Sequence, residues 1–216
     1  MTSTRPARGA PEGQRERNKR EKRARLLRAA AELFEKKGFA GATAREICRR
    51  ARIGTGTLFL YVRDKRDLLF RVFEGESRRL FSGAAAAARD DESLTDGLMR
   101  LFGSFMQFYA AHPVLAQDLI QQLFLWQREN PEVGGLGADY LAHVQVLVEA
   151  AQRRGEVRSD RPSAQLAAAF FAHYAFWVQA WLVERSVSSE AAEALLRAAL
   201  ELQIEGVRPR RVKAQR

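Results

Sequence analysis

Apolar residues recur three and four positions apart through most of the chain and predict one helix after another. Leu26, Leu27, Ala30, Leu33 and Phe34 form the stripe of a helix from about Glu16 to Lys37, with Gly38 as its C-cap and Phe39 packing back on it. Thr43 with Glu46 has the spacing of a capping box, and Ala44, Ile47, Cys48 and Ala51 give the short helix behind it an inward face. Arg52-Ile53-Gly54 is a break, and Thr55 to Tyr61 is a second short helix anchored by Leu58. A long helix over about Arg66–Ala88 follows, with Leu68, Leu69, Val72, Phe73 and Leu80 inward. Arg89 to Ser93 reads as a solvated polar loop, with Ser93 and Asp96 resembling a capping box. Helices are then expected over Leu94–Ala111, Val114–Arg128, Leu136–Arg154, Leu166–Val183 and Glu190–Ile204, with a Pro- and Gly-containing loop over Asn130–Gly137.

A helix of seven residues, such as Thr55–Tyr61, is not stable alone in water. Neighbouring elements must hold it, which leaves one face available to a partner. That face carries Thr55, Gly56 and Thr57, then Phe59, Leu60 and Tyr61, with Arg63 and Lys65 beyond. Small residues allow deep entry into a major groove, Thr hydroxyls and methyls suit base edges, and the cations suit phosphates. A plain helical hairpin with a polar outer face fits the same pattern.

Leu26 to Phe73 resembles the DNA-binding domain of the TetR (tetracycline-repressor-like) family of transcriptional regulators. The resemblance rests on AAxxLFxxKGF, TxxEI, GTLFxY and DKxxLL, in that order over about fifty residues. It implies an all-α homodimer: a three-helix helix-turn-helix domain at the N-terminus, then a larger helical domain for ligand binding and dimerisation. On that reading residues 1–15 are a disordered basic arm, 16–70 the DNA-binding domain, 71–207 the effector and dimerisation domain, and 208–216 a basic tail. Arg52 stands where the family usually has Gly, in a backbone conformation that costs a non-Gly residue roughly 1 kcal/mol. Gly54 stands where a side-chain cap is common.

Charge sharpens the picture because it is unevenly placed. Of a net +10, residues Met1 to Arg71 hold 20 Lys/Arg against 8 Asp/Glu, and the remainder 16 against 18. A polyanionic partner bound by the N-terminal third is the expectation. Cys48 is the only cysteine in 216 residues, so no intrachain disulfide can form. Its inward position makes it a small core residue. No secretory signal is visible and a cytoplasmic location is the default. No metal-ligand set, nucleophile–base constellation or glycine-rich phosphate loop stands out, so neither a metal, a cofactor nor an enzymatic activity is expected.

In the second half, Phe102, Phe105, Met106, Tyr109, Phe124 and Trp126 give more large apolar surface than a compact bundle needs. They are core residues or, as the resemblance implies, the lining of an effector cavity for an apolar or aromatic small molecule. Asp118 and Gln117, Gln121 and Gln122 could orient a polar group there or face solvent. Leu166 to Val183 has no charge in 18 residues, the threshold for a membrane span. Its His173, Gln179 and six alanines favour instead a helix covered on one side by its own domain and on the other by a second subunit. Phe170, Trp181, Leu195, Ala199 and Leu202 are the expected interface residues, with His173, Tyr174 and Trp177 at the pocket or at the interface.

The function expected is therefore a ligand-responsive, sequence-specific DNA-binding regulator, a repressor in its simplest form, acting on a palindromic operator. Arg45, Thr55 and Thr57 are the expected base contacts and Thr43, Tyr61 and Lys65 the phosphate contacts, with Gly56, Phe59 and Leu60 on the same face. The alternative is an architectural or membrane-anchored DNA-binding protein without an effector.

Overall fold

The computed structural model describes residues 13–89, 91–129, 135–184 and 187–208, without the side chains of 124–129 and 135–136. Residues 1–12 of the proposed arm, all but one residue of the proposed tail, most of the Asn130–Gly137 loop, and the side chains of Phe124 and Trp126 lie outside the described residues; Gln14 and Arg15, expected in the disordered arm, are instead the first residues of α1. Among the described residues the fold is all-helical: α1 Gln14–Gly41, α2 Ala44–Ala51, α3 Thr55–Leu58, α4 Lys65–Ala86, α5 Leu94–Ala111, α6 Pro113–Glu129, α7 Gly135–Arg153, α8 Ser163–Glu184 and α9 Ser189–Gly206. The chain divides into two compact units, one ending at Val72 and the other beginning at Phe73, and α4 runs through the boundary.

In the first unit α1 buries Leu26, Ala29, Ala30 and Phe34, and α2 packs on it through Ile47, Cys48 and Ala51. Gly38 takes φ 71° and ψ 168°, a conformation that favours glycine and turns the chain away from the helix before a last turn closes at Gly41. Thr43 caps α2 with both halves of a capping box. Burial pushes the Cys48 thiol above its ordinary value, as suits an inert core residue.

Two expectations change here. The second short helix is only Thr55–Leu58, not Thr55–Tyr61. Beyond Leu58 the backbone tightens: Leu60 N bonds Thr57 O at 3.2 Å and Tyr61 N bonds Leu58 O at 2.9 Å, both three residues back. The Gly54 cap offers no side-chain acceptor to offset this. The Arg89–Ser93 loop is likewise not merely solvated. Arg100 donates to the Glu92 carboxylate at 2.9 and 2.7 Å, both side chains mostly shielded, and also to Ala84 O, so α5 holds the last turn of α4.

The second unit packs α7 on α8, α5 on α9 and α8 on α9. The helix α8 buries Leu166, Phe170, Tyr174, Val178 and Leu182 within the second unit. Phe170 is fully buried there, so it does not belong to a subunit interface as expected. The opposite face exposes Phe176 (64%) and Val183 (71%), and the outer face of α9 exposes Leu195 and Leu202 (72%). Ala199 and Trp181 are half-buried, and the Trp181 indole donates to Val187 O at 3.1 Å. By length and composition α8 is also apolar enough to cross a membrane.

Between α2 and α3, Arg52 sits in the left-handed region at φ 55°, ψ 50°, its N–H directed to Arg49 O and Cys48 O. Glycine meets that conformation without strain. Arg52→Gly is expected to raise stability by about 0.5–1 kcal/mol, read as a higher urea midpoint with an unchanged slope.

Candidate nucleic-acid interface

Leu58, 1% exposed, is the inward anchor of α3. Around it the outward residues are those the pattern singled out. Thr55 and Gly56 are exposed and Thr57 half-buried, Phe59 and Leu60 are 62% and 78% exposed, Tyr61 is half-buried, and Arg45 projects from α2 into solvent. Phe59 and Leu60 thus place two adjacent large apolar side chains in water beside a marginal helix. A Cβ added at Gly56 would meet no atom within 4 Å, so no contact among the described residues requires glycine there. Glycine inside a helix nonetheless costs roughly 0.5–1 kcal/mol relative to Ala.

Two residues expected at phosphates are engaged inside the unit. Thr43 Oγ1 accepts from Glu46 N at 3.3 Å and donates to Glu46 Oε2 at 3.0 Å. The Lys37 ammonium at 2.6 Å, followed by Thr43, holds the Glu46 carboxyl down to about 2. Lys65 Nζ donates to Phe39 O at 2.7 Å and Ala42 O at 3.2 Å, and stands 4.5 Å from the centre of the Phe39 ring. It binds the first residue of α4 to the connection between α1 and α2. Residue order gives no sign of this, since the two partners are backbone carbonyls more than twenty positions away.

The other side of α3 is held by residues the pattern did not single out. Asp64 Oδ1 accepts from Asp67 N at 2.7 Å, capping α4, and the buried Asp67 carboxylate accepts from Arg63 N at 2.9 Å. Arg71 Nε lies 3.4 Å from that carboxylate. The Asp64-x-x-Asp67 spacing is a legible cap signal. Arg25 Nε donates to Ala51 O at 3.2 Å and fastens the end of α2 to α1. The frame around α3 is therefore tied at each end by charged side chains on backbone atoms.

In the second unit, Phe102, Phe105, Met106, Tyr109 and Tyr174 are all buried. The Phe102 and Tyr174 rings stack at 4.3 Å and 7°. Tyr140, which the pattern did not single out, joins them: its hydroxyl lies 3.2 Å from that of Tyr174 and 3.5 Å from that of Tyr109. Its register with Val144, Val148 and Ala151, all buried, marks it as core-facing. Burial pushes all three phenols above their ordinary value, so the cluster stays protonated. On α4, between Phe73 and Phe81 on the same face, the buried Ser77 Oγ has no partner among the described residues. His173 and Trp177 are half-buried, with His173 Nδ1 3.2 Å from Ala169 O. The described residues hold no group of three His, Cys, Asp or Glu suited to a metal ion.

A family model for bacterial regulatory proteins of the tetR family matches residues 26–72, the segment that forms this frame. Over that segment the chain is similar to the tetR family. The HTH-type transcriptional repressor NicS of Pseudomonas putida is 26% identical over 140 residues, covering 62% of this chain. That match spans 65% of NicS, just under two thirds of its length. Among solved structures, Thermus thermophilus FadR in complex with lauroyl-CoA superposes with a TM-score of 0.74 at 21% identity, covering 90% of this chain and 99% of that one. Bacillus subtilis FadR in complex with stearoyl-CoA gives 0.69 at 19%, covering 85% and 98%. At these identities the structural likeness is one of fold.

The Lys65 clasp has a measurable consequence. Lys65→Met keeps the stem and removes the ammonium, and is expected to lower stability by about 1–2 kcal/mol, seen as a lower urea midpoint. An unchanged midpoint would show that the two carbonyls are served equally well by water.

Proposed function

We propose that the chain is a transcriptional repressor that binds a palindromic operator as a homodimer and releases it when a small apolar or aromatic molecule binds the second unit. The observation that carries this is the outward face of α2 and α3: Arg45, Thr55 and Gly56 beside exposed Phe59 and Leu60, with open space over the glycine among the described residues. Arg45, Thr55 and Thr57 read bases, and Phe59 and Leu60 cover base methyls and sugars. Tyr61 meets phosphate. Thr43 and Lys65 act chiefly by setting the frame, each with backbone and side-chain partners of its own. Residues 16–70 are the reading domain and 71–207 the effector and dimerisation domain, flanked by basic segments 1–15 and 208–216.

The apolar rows of Phe176 and Val183 on α8, and of Leu195 and Leu202 on α9, support an isologous contact between two copies. Covering α8 in this way accounts for its apolar surface without a membrane, and the protein is read as cytoplasmic. The effector site is the aromatic core of Phe102, Phe105, Met106, Tyr109 and Tyr174, with His173 and Trp177 at its edge. Support comes from the Ser77 hydroxyl, which has no partner among the described residues, and from two structural relatives of the same fold whose structures hold acyl-CoA. Because α4 carries both Lys65 and Ser77, displacement of its second half by a ligand alters how its first turn holds α3.

Selection of bound duplexes from a random pool, with sedimentation of the protein alone, tests the reading. The expected result is a palindrome with half-sites about 34–36 Å apart and a particle of two chains. A lone subunit without sequence preference at moderate salt contradicts it.

A further inference from the structure

The first half of α1 has a property that the contacts assigned to α2 and α3 do not use. From Gln14 to Arg25 every residue is exposed, yet the segment is helical. It extends about 18 Å, at 1.5 Å per residue, before the buried stripe begins at Leu26. Packing does not stabilise it. It persists because adding residues to a helix already nucleated downstream is nearly neutral in free energy.

Its side chains follow a register. Arg15, Lys19 and Lys22 lie on the i+3/i+4 row that continues as Leu26, Ala29 and Leu33, and Arg23 borders that row. The row by which α1 packs on its own unit thus changes at Leu26 from apolar side chains to cations. Were this overhang covered by protein, the row would remain apolar. Were it merely solvated, mixed charge would serve, whereas Gln14–Arg25 holds seven Lys/Arg against Glu16 and Glu21 alone. The match to the tetR-family model begins at Leu26, so the overhang lies outside the matched segment.

We infer that this overhang is a second nucleic-acid contact, a cationic helix that lies along the phosphates flanking the site read by α2 and α3. Duplex DNA carries one charge per about 1.7 Å of axis, so a rod of this length faces about ten phosphate charges. A lipid surface is the poorer partner, since Gln14–Arg25 offers only Ala24 as an apolar residue and a membrane-surface helix needs a full apolar face. The contact carries no base information. It lengthens the footprint and steepens the salt dependence.

This inference rests on the reading of the chain as a DNA-binding regulator, and its test keeps the two apart. The variant carries Arg15→Gln, Lys19→Gln, Lys22→Gln and Arg23→Gln in the full chain, four exposed positions where Gln is a good helix former. Two probes are used: the duplex recovered by selection, trimmed at the outer edges of its half-sites, and the same duplex with about ten more base pairs on each side, one helical turn. The unmodified protein is expected to bind the longer probe more tightly and to protect its flanks from hydroxyl radicals. The variant is expected to bind both probes alike, to lose that protection, and to keep the same preference among sequences. Its slope of log K against log salt should be shallower by about 0.9 for each phosphate released. Equal slopes and equal length dependence in the two proteins, with sequence selectivity intact, overturn this inference alone. Loss of selectivity in the unmodified protein overturns the operator reading as well. Retention of the variant's affinity for the longer probe together with its loss on phosphatidylserine vesicles would assign the overhang to a membrane instead.

Discussion

A helix of four residues cannot hold its own shape, and the first unit is organised by that constraint. One side chain, Leu58, reaches the core from α3, and backbone bonds from Tyr61 and Val62 to Leu58 O carry the chain out of it. Everything else that keeps α3 in place belongs to its neighbours. The Arg52 turn delivers the chain from α2 at a left-handed residue. Asp64 and Asp67 gather the other end, and Lys65 ties α4 to the connection before α2. Because the helix contributes so little to its own stability, nearly all of its surface is free of structural duty. That freedom lets small, hydroxylated and exposed apolar residues stand side by side there.

The second unit meets a different demand. The helix α8 is apolar on two sides, and the second unit covers one of them. Inside, stacked rings surround three hydroxyls whose protons remain bound at any ordinary pH, and a fourth hydroxyl comes from α4. Buried polar atoms in an aromatic core are costly unless satisfied.

Much of this was legible in residue order where one physical effect dominates. Thr43 and Glu46, Gly38, and the stripe of Leu26, Ala30 and Phe34 are local signals, and local sterics and hydrogen bonds honour them. The helix at Thr55 was read three residues too long because Tyr61 continues the helical spacing from Leu58, while spacing is blind to the tighter turn that the backbone takes there. Phe170 was placed on the wrong face because a helix apolar all round has no periodicity to orient it. Tyr140 lay in a segment read only as helical, and the ring cluster that recruits it is assembled from separate helices. Lys65 and Arg100 show the same limit for charge, since both hold carbonyl oxygens that composition does not display. The roles of the exposed residues, by contrast, rest on chemistry at a surface where the fold imposes nothing.

The central claim is that α3 is held by its surroundings as one cooperative piece with α2. Native-state hydrogen exchange measures this directly, at the Val62 amide bonded to Leu58 O and the Ile47 amide bonded to Thr43 O. The account predicts that both exchange through the same opening, with equal free energies and equal dependence on denaturant. Exchange of Val62 at the rate of an unfolded chain, while Ile47 stays protected, would contradict it.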